Sequence, residues 1–114
     1  MTTRTNHAPD SVRADHTAVE RAIETLPFVT RACVARSDDR ETAVVVSVDP
    51  GRFEGLESGS PVKREARRVL GEHGIDPTGI RVVATTGWLP GREAFPARIR
   101  RRCVRARYAA LLMT

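Results

Sequence analysis

The seven residues Thr42-Ala43-Val44-Val45-Val46-Ser47-Val48 constrain the fold more than any other part of the chain. Their β-branched side chains suit a pleated strand, and a strand that is apolar at nearly every position has no side to offer to water. It is therefore expected at the centre of a sheet, covered on both faces. Pro50 and Gly51 end it, and a polar loop over 55–60 follows. A second β pattern at 31–36 precedes it, joined through Ser37-Asp38-Asp39-Arg40, whose residue types favour tight turns. The pair reads as a hairpin. A third strand fits Ile80 to Thr85, after which Gly87-Trp88-Leu89-Pro90-Gly91 turns the chain away.

Helical periodicity supplies the cover. From Ser11 to Leu26, residues Val12, Val19, Ala22, Ile23 and Leu26 recur on one side, with Asp15 or Thr17 available as a cap and Pro27 as a stop. Glu20 and Glu24, four residues apart, read as a mildly unfavourable pair on the wet side. Ser60-Pro61 is a good helix start, and Val62, Ala66, Val69 and Leu70 carry an apolar face up to Gly71 or Gly74. The last helix spans 97–112. At 100° per residue, Ile99, Cys103, Ala106 and Ala110 share one face, while Arg98, Arg101, Arg102 and Arg105 gather on another about a third of a turn away. The expectation is an α+β fold, a small three-stranded sheet with packed helices in the order α-β-β-α-β-α, spread over two or three layers. Residues 1–10 read as a flexible arm and 11–114 as one domain, with Val44, Val46, Val69, Leu70, Val82 and Ile99 in its core.

A chain of 114 residues has room for one core, not for two catalytic domains. No apolar run approaches the ~18–20 residues of a membrane span, and the first residues lack the apolar stretch of a secretory signal. With only two cysteines, Cys33 and Cys103, a reducing cytoplasm is the expected location. The formal charge is +5, and Lys63 is the only lysine. Between Arg92 and Tyr108 stand seven arginines against the single Glu93, so the surplus belongs to that one segment. A GC-rich coding bias would suffice for arginine in place of lysine, but not for the clustering.

The usual catalytic signatures are missing: there is no phosphate-cradling glycine motif, no nucleophile elbow and no pair of ligands at zinc spacing. His7, His16 and His73 stand beside turn or helix-end residues, where solvated or capping roles are the expectation. Cys103 among arginines has the surroundings of a lowered-pKa nucleophile, yet a small core residue is the simpler reading.

The end of the chain carries a resemblance. Leu89-Pro90 is followed by Arg98-Ile99-Arg100-Arg101-Arg102-Cys103-Val104-Arg105-Ala106-Arg107-Tyr108, which is similar to the closing segment LPKTSSGK-I-Q-R-R-A-C-R-A-R-Y of fatty-acyl-AMP ligases. Asn6-His7-Ala8-Pro9-Asp10-Ser11-Val12 looks like the N-H-x-P-x-x-I stretch that opens the same domain. The stretch from Val19 to Val48 looks like its first helix and hairpin, and Glu72-His73-Gly74-Ile75 fits ahead of the third strand. Across nearly its whole length, then, the chain resembles the C-terminal lid domain of the adenylate-forming superfamily.

The resemblance implies a lid that swings over a large ATP-binding domain and delivers one lysine to the carboxylate and α-phosphate as the acyl-adenylate forms. Two departures matter. The ATP-binding domain has no counterpart in these 114 residues, so no adenylation by this chain alone is expected. The lysine is also absent: alignment on Ile99 puts Arg98 in its place and Ala97 at the glycine, after a loop two residues longer. Arginine keeps the charge but presents a planar fork in place of a compact ammonium.

The resemblance implies an accessory subunit acting in trans with a separately encoded adenylating domain or acyl-activating enzyme, with Arg98 as its one catalytic candidate. No cofactor is expected on the isolated chain; an acyl-adenylate or AMP would be met only together with the partner domain. The alternative is a non-catalytic module that docks an acidic carrier protein or enzyme through Arg101, Arg102 and Arg105. Nucleic-acid binding is the general default for an arginine-rich helix at pI ≈ 10.5, but scarce aromatics leave no route to base recognition.

Overall fold

The computed structural model describes residues 15–37, 41–51, 60–93 and 95–113. Among the described residues seven elements follow one another: α1 (His16–Glu24), β1 (Val29–Ser37), β2 (Thr42–Val48), α2 (Ser60–Glu72), β3 (Ile80–Thr85), α3 (Ala97–Arg107) and α4 (Ala109–Leu112). The three strands form one mixed sheet in the order β1-β2-β3. β1 runs antiparallel to β2, pairing Val34 with Val44 and Ala32 with Val46, whereas β3 runs parallel to β2, with Val82 opposite Val44. A parallel neighbour requires a crossover, and α2 supplies it. All seven residues of β2 are buried, as their composition demands of a central strand.

Because side chains alternate across a strand, the sheet builds two cores. On one face Ala32, Val34, Val44, Val46 and Val82 meet Val19 and Ile23 of α1 and Val62, Ala66, Val69 and Leu70 of α2. On the other, Cys33, Ala35, Ala43, Val45 and Val83 meet Leu89, Val104, Tyr108 and Leu112. Helix α1 starts where Asp15 accepts a hydrogen bond from the Thr17 N–H at 2.9 Å, so Asp15 is the cap. The Ser11 start, residue Val12 and the hairpin residues 38–40 lie outside the described residues, as does the arm 1–10. Past α2, Gly74 adopts φ +77°, the left-handed conformation that a glycine accepts most readily.

The last helix differs from the sequence expectation in phase and in length. The helix facing the sheet buries Arg100, Val104, Tyr108 and Leu112, one residue per turn, and it breaks at Tyr108 into α3 and α4. Ile99, expected in the core, is 49% exposed; Ala106 and Ala110 are exposed and Cys103 is half-buried. The cause is size and hydrogen bonding. Facing small residues such as Cys33, Ala35 and Ala43, the row of Val104, Tyr108 and Leu112 removes more apolar area from water than Ile99, Cys103 and two alanines would. Tyr108 also hands its hydroxyl proton to the Trp88 carbonyl at 2.7 Å, and Arg100 finds buried acceptors. Arg81 then donates to the Leu112 carbonyl at 2.9 Å, closing the C-terminal end.

Candidate functional site

The loop leading into α3 is pinned at Gly87 and at Pro90. The Gly87 N–H donates to the Thr85 hydroxyl at 3.0 Å and its carbonyl accepts from the Ser47 hydroxyl at 2.7 Å. A side chain at Gly87 would collide with the Tyr108 hydroxyl, so only glycine fits that approach. Leu89, Pro90 and Gly91 are buried, and the Pro90 carbonyl accepts from Arg100 Nε at 2.7 Å.

Beneath this loop lies a charged network that the sequence reading missed. Glu20 and Glu24 do not face water. Glu20 is 5% exposed, and its Oε2 accepts from the Val34 N–H at 2.8 Å while Oε1 accepts from Arg100 Nη1 at 3.1 Å. Glu24 accepts from the Ala32 N–H at 2.9 Å and from Arg92 Nη2 at 2.8 Å. Arg100, 3% exposed, completes the set by donating Nη2 to the Ala32 carbonyl at 3.0 Å. These backbone groups belong to the outer side of β1, an edge strand. An edge is a template for unwanted strand pairing, and here side chains occupy its donors and acceptors. A signal was present in the sequence: two carboxylates four residues apart, opposite a segment rich in arginine, invite shared cations.

Of the site residues read from sequence, the structure separates one from the other three. Arg101 is half-buried, with Nη1 3.3 Å from His16 Nδ1 at the start of α1. Burial first and the Arg101 charge second hold the His16 imidazole below its ordinary pKa, and a neutral ring nitrogen is the acceptor that arginine needs. These two residues help line a cavity of about 120 Å³ with Thr17, Phe95 and Arg92. Arg98, Arg102 and Arg105 are exposed on α3 and make no ion pair among the described residues. Arg98 is the second residue of the helix, two positions before the firmly held Arg100, so a free charge projects from a rigid base. Lys63 stands exposed on α2, on a different element.

The other chemical candidates are quiet. Cys33 is fully buried, and desolvation pushes its thiol up to about 11. His73 Nδ1 lies 2.9 Å from the Val69 carbonyl in the last turn of α2, a helix-end contact, and His7 lies outside the described residues. Among the described residues no three His, Cys, Asp or Glu side chains are grouped to hold a metal ion, and no helix is long and apolar enough to cross a membrane. No protein-family model, curated protein or solved structure matches the chain.

Proposed function

We propose that the chain is a lid-like accessory subunit that works in trans with an adenylating domain or other acyl- or aminoacyl-activating enzyme, α3 facing the partner. The observation that carries this reading is Arg98: an exposed guanidinium with no ion-pair partner among the described residues, in the first turn of a helix whose base Arg100 and Pro90 hold fixed. Preorganised charge of this kind is what stabilises a developing negative transition state in a partner's site. The sequence resemblance places the same residue where the lid family has its lysine. Under this reading the cofactor chemistry belongs to the partner, and the acyl-adenylate or AMP is met only in the joint site.

A second reading has its own observation. Arg102 and Arg105 continue the free charge along α3 beyond the reach of a single reacting centre. That extension suits long-range steering toward an acidic carrier protein, with no chemistry contributed by this chain. Nucleic-acid binding has less support, because among the described residues Trp88 is the one exposed large aromatic side chain beside the arginines, and a single ring makes no platform for successive bases.

Reconstitution separates the readings. The chain alone should show no carboxylate-dependent exchange of pyrophosphate into ATP. Mixed with a lid-deleted acyl-adenylating domain encoded beside it, it should restore acyl-adenylate formation. At saturating chain, Arg98→Ala should lower that turnover by about two to three orders of magnitude, with Arg98→Lys retaining part of it. Arg102→Glu with Arg105→Glu should instead slow association, less so as salt rises. Loss of affinity without loss of turnover selects the docking module, and an adenylating domain indifferent to the chain refutes the lid reading.

A further inference from the structure

We propose that the exposed side of α3 and α4 is a composite docking surface, an apolar strip with a basic border, built to take an acidic amphipathic helix of a partner protein. The large hydrophobic side chains exposed among the described residues are Trp88 at 56%, Ile99 at 49%, Leu111 at 41% and Met113 at 83%, all in one stretch near the C-terminus. Their arrangement follows from helix geometry. Alongside the buried row Arg100, Val104, Tyr108 and Leu112 runs a row displaced by one residue: Ile99, Cys103, Arg107 and Leu111. Trp88 joins this row, its ring 6.0 Å from the Arg107 guanidinium. The next row outward is Arg98, Arg102, Ala106 and Ala110, with Arg105 beyond it. Apolar surface thus adjoins Arg98, Arg102 and Arg105 and is interrupted by Arg107, four exposed arginines that no carboxylate answers among the described residues.

The occupant follows from the shape and the charge. Within the longer helix the row from Ile99 to Arg107 is about 12 Å long, a little over two helical turns, and α4 carries Leu111 beyond the break at Tyr108. Cys103, Ala106 and Ala110 are small, so a partner helix can approach at the ~8–10 Å spacing of packed helices. Its apolar side covers Ile99 and Leu111, and its carboxylates reach Arg98, Arg102 and Arg105. A second copy meeting this one through the same helix is a poor occupant, because α3 contains no acidic residue to answer the other copy's arginines. Nucleic acid would use the arginines and leave the strip uncovered.

The inference rests on the reading of α3 as partner-facing, but not on any chemistry at Arg98. Its test uses the full chain and a synthetic helical peptide of about four turns, with leucines on one side and glutamates flanking them. Trp88 is the only tryptophan, so its fluorescence reports directly on the strip. Saturable binding should shift that fluorescence, and Ile99→Ser and Arg102→Glu should each weaken it about tenfold while leaving the melting temperature unchanged. A scrambled peptide of the same composition should bind at least as weakly as the variants. The proposal is overturned by no saturable binding, by equal binding of the scrambled peptide, by indifference to Ile99→Ser or to Arg102→Glu, or by tighter binding of duplex DNA that only Arg102→Glu reduces. Self-association lost in Ile99→Ser also overturns it, in favour of a second copy. Failure here leaves the Arg98 turnover effect, measured at saturation, standing on its own.

Discussion

Replacing Arg100 by alanine tests the least expected feature of the fold. The substitution strands Glu20, whose side chain is 7% exposed, beside a vacated space, and takes the donor from the Ala32 and Pro90 carbonyls. Removing one partner of a buried ion pair costs about 3–5 kcal/mol, chiefly because the remaining charge stays desolvated. Arg92 Nε, 3.4 Å from Glu20 Oε1, offsets part of that loss, while the two orphaned carbonyls add to it. A net loss of about 4 kcal/mol is expected, a large part of the ~5–15 kcal/mol that holds a domain folded. In a domain of this size that lowers the melting temperature by about 15–30 °C.

The assay is urea unfolding followed by circular dichroism, with Arg102→Ala as the exposed-arginine control, expected within about 0.5 kcal/mol of the parent. The Glu20→Leu, Arg100→Met double variant removes both charges together. It should be more stable than the sum of the Glu20→Leu and Arg100→Met single losses predicts, by about 1–3 kcal/mol, since the pair is coupled through shared contacts. It should still fall short of the parent, because the Val34 N–H and the Ala32 and Pro90 carbonyls all lose their partners in it. An Arg100→Ala loss under about 1 kcal/mol, or strict additivity in the double variant, would refute the network as described.

Two further outcomes follow from the same structure. In an NMR titration His16 should ionise below 6.5, because burial and Arg101 both oppose its charged form. The unfolded chain then binds more protons in the window between the folded value and 6.5, so stability falls as pH drops through that window, and Arg101→Gln should narrow it. In the native protein at pH 8 a thiol reagent should modify Cys103 and spare Cys33, whose buried thiol ionises only near 11; both should react in denaturant.

The sheet was legible because its signals are local. TAVVVSV declares a doubly covered strand by composition alone, and the turn residues on either side leave little freedom in its bounds. Helix α2 was legible for the same reason: Ser60-Pro61 marks its start, and Val62, Ala66, Val69 and Leu70 mark one face. The last helix was not. Hydropathy ranks Ile99 above Arg100, and no periodicity argument that treats arginine as polar can turn Arg100 inward. What turns it inward is a demand from other parts of the chain, the open edge of β1 and the Glu20 carboxylate, each more than sixty residues away in sequence.

The same demand decides what α3 can do at its surface. One helix of eleven residues carries six arginines, and the fold assigns them different work according to the side on which they fall. Arg100 is consumed by Glu20 and β1, and Arg101 is drawn to His16. Arg107 lies 6.0 Å from the Trp88 ring and 5.9 Å from the Tyr108 ring, and with Arg98, Arg102 and Arg105 it is left without a carboxylate among the described residues. Had the helix packed with Ile99 inward, Arg100 would have joined the exposed cluster, Glu20 would have been buried without its cation, and the apolar strip beside Trp88 would have vanished into the core. Burial of Arg100 therefore fixes both the unpaired charges and the apolar surface next to them. A variant that turns α3 by even one residue should disturb stability and docking together, whereas substitutions confined to the outer rows should separate the two.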